Sequence, residues 1–266
     1  GAPVPPEVVE KIRILLDDDA QFWTPYGATE CLPVAVIEGR ELQDTRAATE
    51  AGAGTCVGRP VAPNQVRIIA IDDAPIAHWS AVVELPAGEV GEITVAGPTT
   101  TDSYFNREAA TIAAKIVEVR ADGGEQVVHR MGDVGYFDAE GRLWFCGRKT
   151  QRVQAADRAL YTEQVEPVFN AHPQVRRTAL VGVGAPGAQR PVLCVQLADG
   201  VDAGLFQRIQ EELRTLAAAH AHTAPVATFL CHPGFPVDIR HNAKIGREKL
   251  AAWAGAALSA GRGGAA

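Results

Sequence analysis

The sequence contains no Cys-x-x-Cys pair, no uninterrupted apolar run long enough to cross a bilayer and no surplus of positive charge. Its five cysteines, Cys31, Cys56, Cys146, Cys194 and Cys231, lie far apart. That scatter argues against a zinc ribbon or dithiol motif and for apolar buried thiols in a reducing compartment. With 25 Lys and Arg against 32 Asp and Glu, the net charge of −7 gives no basic footprint for nucleic acid. A small anionic ligand would need local cations instead. No signal-peptide pattern is present, so the expectation is a soluble, cytoplasmic protein with no transmembrane segment.

What is present is ordinary globular composition, with 47% apolar and 21% charged residues. The 266 residues suffice for one large or two modest domains with real cores. The chain is organised around Arg130-Met131-Gly132-Asp133-Val134-Gly135-Tyr136-Phe137 and the following Asp138-Ala139-Glu140-Gly141-Arg142-Leu143-Trp144-Phe145-Cys146-Gly147-Arg148-Lys149. This pattern predicts a tight turn, a strand, a hairpin turn and a returning strand. Asp133 starts the first strand and Arg148 closes the second, so both fall near the open end of the hairpin. A carboxylate accepts hydrogen bonds from a ribose diol, and a guanidinium donates to ribose oxygen or phosphate. Taken alone, the same residues also fit an ordinary hairpin with a surface Asp and Arg.

Motif matches along the chain tip that balance. Tyr26-Gly27-Ala28-Thr29-Glu30 matches a Tyr-Gly-x-Thr-Glu pattern, and His129-Arg130-Met131-Gly132-Asp133 a (Tyr/His)-(Arg/Lys)-Thr-Gly-Asp pattern. Gly147-Arg148-Lys149 matches Gly-Arg-x, and residues 236–247 (PVDIRHNAKIGR) are similar to a terminal Pro-x-x-x-x-Gly-Lys-x-x-Arg signature. Four motifs in this order resemble the C-terminal half of the adenylate-forming enzymes of the acyl-CoA synthetase and luciferase superfamily. The resemblance covers nearly the whole chain.

The resemblance implies a mixed α/β and α+β fold. Residues 1–148 would be the end of the large AMP-binding domain, with a small β-barrel-like subdomain over about 55–148. Residues 149–253 would form a small α+β lid domain, followed by a Gly/Ala-rich tail over 254–266. It also implies ATP as substrate and Mg²⁺ as cofactor. Tyr26 would pack against adenine, with Gly27 beside it in the motif. Thr29 would bond phosphate, Glu30 hold Mg²⁺, and Asp133 and Arg148 hold the nucleotide. A lone carboxylate suits Mg²⁺, which takes few protein ligands besides phosphate oxygens. Lys244 would reach from the small domain to the acid carboxylate and the α-phosphate, where an ammonium on a flexible stem neutralises charge as two anions join. The Ser/Thr/Gly-rich phosphate loop with its lysine, which the family carries upstream, is absent from these residues. Gly1-Ala2-Pro3-Val4-Pro5-Pro6 resembles an internal family segment, so the chain is expected to be a fragment that does not adenylate by itself.

Along the chain, helical spacing of Val8, Val9, Ile12, Leu15 and Leu16 predicts a first helix. Short runs with β character follow at 66–71, 89–95 and 135–145. Tyr104-Phe105-Asn106-Arg107-Glu108 resembles another family segment, with Ser103 in the place of the usual glycine. Beyond Arg148 the pattern predicts a helix from Thr162, strands at 175–183, 192–197 and 228–231, an amphipathic helix through Leu205 to Ala217, and a last helix from Ile245 to Trp253. His220 and His222 are set aside as a metal pair, because i,i+2 residues on a helix do not face each other.

Departures from the family pattern point to a branch. Thr150 stands at the hinge position usually held by Asp or Lys, and Asp157 replaces a glycine that lies beside the pantetheine path in CoA ligases. A carboxylate there adds bulk and negative charge where a close-lying ligand favours glycine, which speaks against CoA. Residues 235–245, with 161–166, most resemble the β-lactone synthetases of bacterial long-chain olefin biosynthesis. That branch implies ATP-dependent activation of a long-chain 3-hydroxy fatty acid, ring closure by the substrate's own hydroxyl, and other olefin-biosynthesis enzymes as partners. An intramolecular nucleophile has high effective molarity and needs no thiol channel. Two other readings stay open: a long-chain fatty acyl-CoA ligase, and a non-catalytic nucleotide-binding or partner-binding module.

Overall fold

A computed structural model describes residues 4, 6–238 and 241–261, without the side chains of residues 6, 7, 238 and 241–243. Most of the Gly-Ala-Pro opening, Arg240 and the last residues of the expected tail therefore lie outside the described residues, as does the side chain of Ala243. The chain divides between Lys149 and Thr150 into two compact units, and Ala47–Gly54 groups with the second.

The first unit opens with helix α1 (Pro6–Leu15), then the hairpin β1 (Trp23–Ala28) and β2 (Cys31–Glu38). Helix α2 (Gly39–Asp44) follows; the short α3 (Arg46–Glu50) falls mostly in the stretch that groups with the second unit, and the first resumes with strands β3 (Thr55–Pro60), β4 (Gln65–Ile69) and β5 (Gly91–Ala96). Helix α4 (Glu108–Ala114) leads into β6 (Lys115–Val119), β7 (Glu125–Phe137) and β8 (Leu143–Arg148). These strands make one eight-stranded sheet in the order β1-β2-β3-β8-β7-β5-β4, with β6 on β7. Every pairing is antiparallel.

The expected barrel-like closure is not found among the described residues. β1 and β4 are the two ends of the path and do not pair, so the sheet is open. It also starts earlier than residue 55, because the hairpin at 23–38 joins it through Ala35↔Pro60 and Val36↔Arg59. The core of this unit gathers Cys31, Val34, Ala35, Ile68, Ile93, Val95, Met131 and Leu143, with Tyr26 and Phe145 packed on it.

The 3₁₀ turn at Lys149–Gln151 spans the division, and the second unit continues from it. The short pair β9 (Val153–Gln154) and β10 (Ala159–Leu160) precedes α5 (Thr162–Asn170). Strands β11 (Val175–Val183) and β12 (Arg190–Leu197), helix α6 (Phe206–Ala218) and strand β13 (Thr228–Cys231) follow. Its sheet runs β11-β12-β13, antiparallel then parallel, the parallel step spanned by α6. Successive side chains of a strand point to opposite faces, and both faces here are apolar. Leu180, Leu193, Val195 and Phe229 pack on one side with residues of α5 and α6. Ala179, Val181, Val192, Cys194 and Leu230 pack on the other with Leu250 and Ala254. Those last two lie on α7 (Arg247–Ser259), which follows the ribbon β14 (Val237–Asp238) and β15 (His241–Ile245).

Helix α7 runs six residues beyond Trp253, into the stretch expected to be tail. Alanine is the best helix former, and Ala254 is fully buried, so propensity and packing both extend the helix. His220 and His222 lie past the end of α6 at Ala218, not on a helix as the sequence reading supposed, and their rings are 5.4 Å apart. Among the described residues no group of three His, Cys, Asp or Glu could hold a metal ion, and no helix is long and apolar enough to cross a membrane.

Candidate nucleotide site

Asp133 and Arg148 are direct partners across the β7–β8 ladder, which is what the hairpin spacing implied. Arg148 Nη1 lies 2.7 Å from Asp133 Oδ1. Oδ1 is buried, and the Arg148 guanidinium is the partner that faces it. On the other carboxylate oxygen, the Tyr26 hydroxyl donates to Oδ2 at 2.7 Å. Tyr26 comes from β1, and its ring centroid stands 5.9 Å from that of Phe145 on β8. Burial pushes the Asp133 carboxyl upward, and Arg148 and Tyr26 pull it back only in part. Burial, reinforced by the Asp133 charge, pushes the Tyr26 phenol well up, so it remains a donor.

Gly27, Thr29 and Glu30 sit at the end of the same hairpin. Ala28 pairs with Cys31, which leaves Thr29 and Glu30 as a two-residue tip, with Thr29 exposed. Gly27 is required by space: a Cβ there would stand 2.6 Å from the Cys31 carbonyl oxygen and 2.7 Å from a Leu32 methyl. The Glu30 carboxylate accepts from the Tyr104 hydroxyl at 2.7 Å. Burial raises the Glu30 pKa, but Tyr104, the residue's own backbone amide, His129 and Lys115 outweigh it and hold the carboxyl below its usual range. Lys115 is buried, and desolvation lowers its pKa. His129 is buried as well, and desolvation brings it down to about 4.

Mg²⁺ fits this tip only as a nucleotide-borne ion. A single carboxylate with spare lone pairs matches a hard cation whose other ligands are phosphate and water, whereas an all-protein cage would need more oxygens than the hairpin tip supplies. By the same count of lone pairs, the buried Asp133 carboxylate, which Tyr26 and Arg148 do not saturate, fits a ligand with paired hydroxyl donors.

The remaining sequence-derived residues lie in the second unit. Lys244 is exposed in β15, and the ribbon that carries it is tied off where Gly246 N–H donates to the Pro236 carbonyl at 2.7 Å. Arg247, three residues on, grips Glu166 of α5 through both guanidinium nitrogens and also donates to the Leu180 carbonyl at 3.2 Å. Thr150 is exposed in the 3₁₀ turn that opens the unit. Asp157 is exposed in the turn between β9 and β10, with Arg158 Nε 2.8 Å from its Oδ2.

Sequence reading missed two clusters. Tyr104 lay in a motif without a role, and its contact with Glu30 spans 74 residues. The second is a trio around the buried Glu92, in which Arg130 Nη2 and Lys149 Nζ lie 2.6 and 3.0 Å from Glu92 Oε2, with both cations also donating to the Asp72 carbonyl. Glu92 directly follows the start of β5 at Gly91, in a run read from the sequence only as β-forming.

Comparison with known proteins gives the class. Residues 1–105 match the family model described as AMP-binding enzyme. The chain belongs to the AMP-binding, adenylate-forming enzymes. Over 254 residues it is 75% identical to the olefin beta-lactone synthetase of Xanthomonas campestris pv. campestris. Over 258 residues it is 72% identical to the protein of the same name from Stenotrophomonas maltophilia. These alignments take in 96% and 97% of this chain but 46% of each relative, so the chain spans about half the length of the curated relatives it matches. Among solved structures, it is similar to the amide bond synthetase from Marinactinospora thermotolerans, with TM-score 0.69 and 27% identity over 95% of this chain and 46% of that one. It is also similar to o-succinylbenzoate coenzyme A synthetase from Bacillus subtilis in complex with ATP and magnesium ion, with TM-score 0.65 and 25% identity over 94% and 45%.

Proposed function

We propose that the protein carrying this chain uses ATP and Mg²⁺ to convert a long-chain 3-hydroxy fatty acid into its acyl adenylate and then into a β-lactone. The observation that carries the nucleotide assignment is Asp133, a buried carboxylate held between the Tyr26 hydroxyl on one oxygen and the Arg148 guanidinium on the other. The ribose diol would donate to that carboxylate, and Arg148 would face ribose oxygen or phosphate. Thr29 and Glu30 at the hairpin tip would take phosphate and the nucleotide's Mg²⁺.

In the first step a carboxylate oxygen of the acid attacks the α-phosphorus and pyrophosphate leaves. Lys244, on its long exposed side chain, would neutralise the charge that builds between the two anions. In the second step the substrate's 3-hydroxyl oxygen attacks the acyl carbon, its proton passes to solvent, and AMP leaves with the ring closed. Thr150, where the two units divide, would serve as the hinge between steps. Asp157 would disfavour a CoA thiol in the second step. The high identity to two proteins named olefin beta-lactone synthetase supports this order over a CoA ligase. A cytoplasmic location and association with other olefin-forming enzymes belong to the same proposal.

The test uses the full-length protein, ATP, Mg²⁺ and a long-chain 3-hydroxy acid, with and without CoA, followed by mass spectrometry. AMP release with loss of water from the acid and no need for CoA is the expected result. A CoA thioester would overturn the lactone step and leave adenylation standing. Absence of AMP under both conditions would favour the binding module.

A further inference from the structure

Glu30 stands on the tip of a two-residue hairpin, where a side chain ordinarily has several rotamers and a backbone little support. Here the tip is strapped by the segment 99–104, which reaches it from outside the hairpin. Thr99 Oγ1 and Thr100 Oγ1 lie 3.2 and 3.5 Å from Cys31 Sγ. Thr101 N–H donates to the Glu30 carbonyl at 2.8 Å. Tyr104 then closes the strap by donating its hydroxyl to Glu30 Oε1 at 2.7 Å.

The strap is itself anchored. The Thr111 hydroxyl accepts from Tyr104 N–H at 3.0 Å, fixing the base of the tyrosine on α4. The Lys115 ammonium, on the adjoining β6, donates to the Thr101 carbonyl and lies 3.1 Å from the Thr101 hydroxyl. The same ammonium stands 5.8 Å from the Tyr104 ring centroid. Glu30 is thus held at its carbonyl and at its carboxylate by one short segment.

We propose that Tyr104 is a positioning residue: its hydroxyl fixes the Glu30 carboxylate in the rotamer that receives the divalent cation carried by the nucleotide. The inference rests on the reading of Glu30 as the metal ligand. A hydrogen bond to one carboxylate oxygen uses one of about four lone-pair sites, so it orients the group without occupying it. Partners that orient a ligating carboxylate typically contribute 10–100-fold to metal affinity. The position of Glu30 is set by the fold before the nucleotide arrives, which spares the site the entropy of ordering a tip rotamer at binding.

The experiment compares full-length wild type, Tyr104→Phe and Glu30→Gln. Mn²⁺ binding in the presence of a non-hydrolysable ATP analogue is followed by electron paramagnetic resonance, and nucleotide binding is measured separately in EDTA. Tyr104→Phe removes one oxygen and keeps the ring. The expected result is about tenfold weaker Mn²⁺ binding, unchanged metal-free nucleotide affinity and an unchanged melting temperature, with the reaction rate restored by excess Mg²⁺. Glu30→Gln should weaken Mn²⁺ binding further. Weak Mn²⁺ binding in Glu30→Gln but wild-type binding in Tyr104→Phe would overturn the positioning role alone. Wild-type Mn²⁺ binding in Glu30→Gln would overturn the metal-ligand reading beneath it. Equal loss of metal and metal-free nucleotide binding in Tyr104→Phe, with a lowered melting temperature, would mark a structural hydroxyl and overturn the proposal.

Discussion

The Tyr26 hydroxyl donates to Asp133 across 107 residues of sequence, at 2.7 Å. The bond occupies Oδ2 and leaves Oδ1 to Arg148 and to a ligand. The acid that the fold buries is the one the proposed chemistry needs charged.

That conflict makes Asp133→Asn informative. Burial pushes the Asp133 pKa up, so the fold itself favours the neutral form, and asparagine is neutral at the same shape. Stability should therefore change by less than about 1 kcal/mol, while losing a charge-assisted acceptor should cost about 1.5–3 kcal/mol of nucleotide affinity. Calorimetric titration of the full-length protein with an ATP analogue, beside a thermal melt, separates the two. Unchanged affinity would remove Asp133 from the nucleotide site.

The local part of this site was legible in the sequence, and the non-local part was not. Asp133 and Arg148 face each other because a short turn brings them back, and turn residues are visible in the sequence. Glu92, Arg130 and Lys149 meet only because β5 pairs with β7, and no periodicity announces that pairing. The three-stranded sheet of the second unit was readable from β-branched runs at 175–183 and 192–197. The open edge of the larger sheet was not, since closure depends on which strands end up as neighbours rather than on how many there are. Likewise the alanines after Trp253 resemble a low-complexity tail until their burial beneath β11 and β12 is known.

The trio around Glu92 gives a prediction about where movement can begin. Glu92 is fully buried, and both cations converge on one of its oxygens. Glu92→Gln would leave the buried Arg130 and the half-buried Lys149 short of their counter-charge, a change that costs about 3–5 kcal/mol when a buried pair is broken. Hydrogen exchange should then rise at 149–151, because the end of β8 is no longer pinned. Unchanged exchange there would mean that Lys149 does not fix the start of the 3₁₀ turn.

His129 makes stability depend on pH in a defined direction. Its folded pKa is about 4, depressed by burial from the ordinary 6.5, so the unfolded chain binds more protons between those values. Its contribution is fully present above about pH 6.5 and is lost as pH falls through 4, with an upper bound of about 3 kcal/mol. The difference in urea-unfolding free energy between wild type and His129→Gln should narrow steadily from pH 7 to pH 4. A difference that stays flat would assign the slope to the carboxylates instead.

Arg247 and Lys244 share a short segment but should fail in different ways. Arg247 is bonded to both Glu166 oxygens and to the Leu180 carbonyl, so it fastens the start of α7 to α5 and β11. Arg247→Ala leaves the buried Glu166 carboxylate without its counter-charge and should cost about 3–5 kcal/mol of stability in the second unit. Arg247→Lys should rescue little, since a single ammonium cannot reproduce the two-pronged grip. Lys244 is exposed, and its removal should leave the melting temperature within about one degree of wild type. The adenylation rate should nonetheless fall about 10²–10³-fold, the scale for losing a group that acts on transition-state charge. Pyrophosphate release and thermal melts on both variants would test the division. Should Lys244→Ala melt early while keeping its rate, its role would be structural, and the delivery of charge would have to be sought elsewhere in the full-length protein.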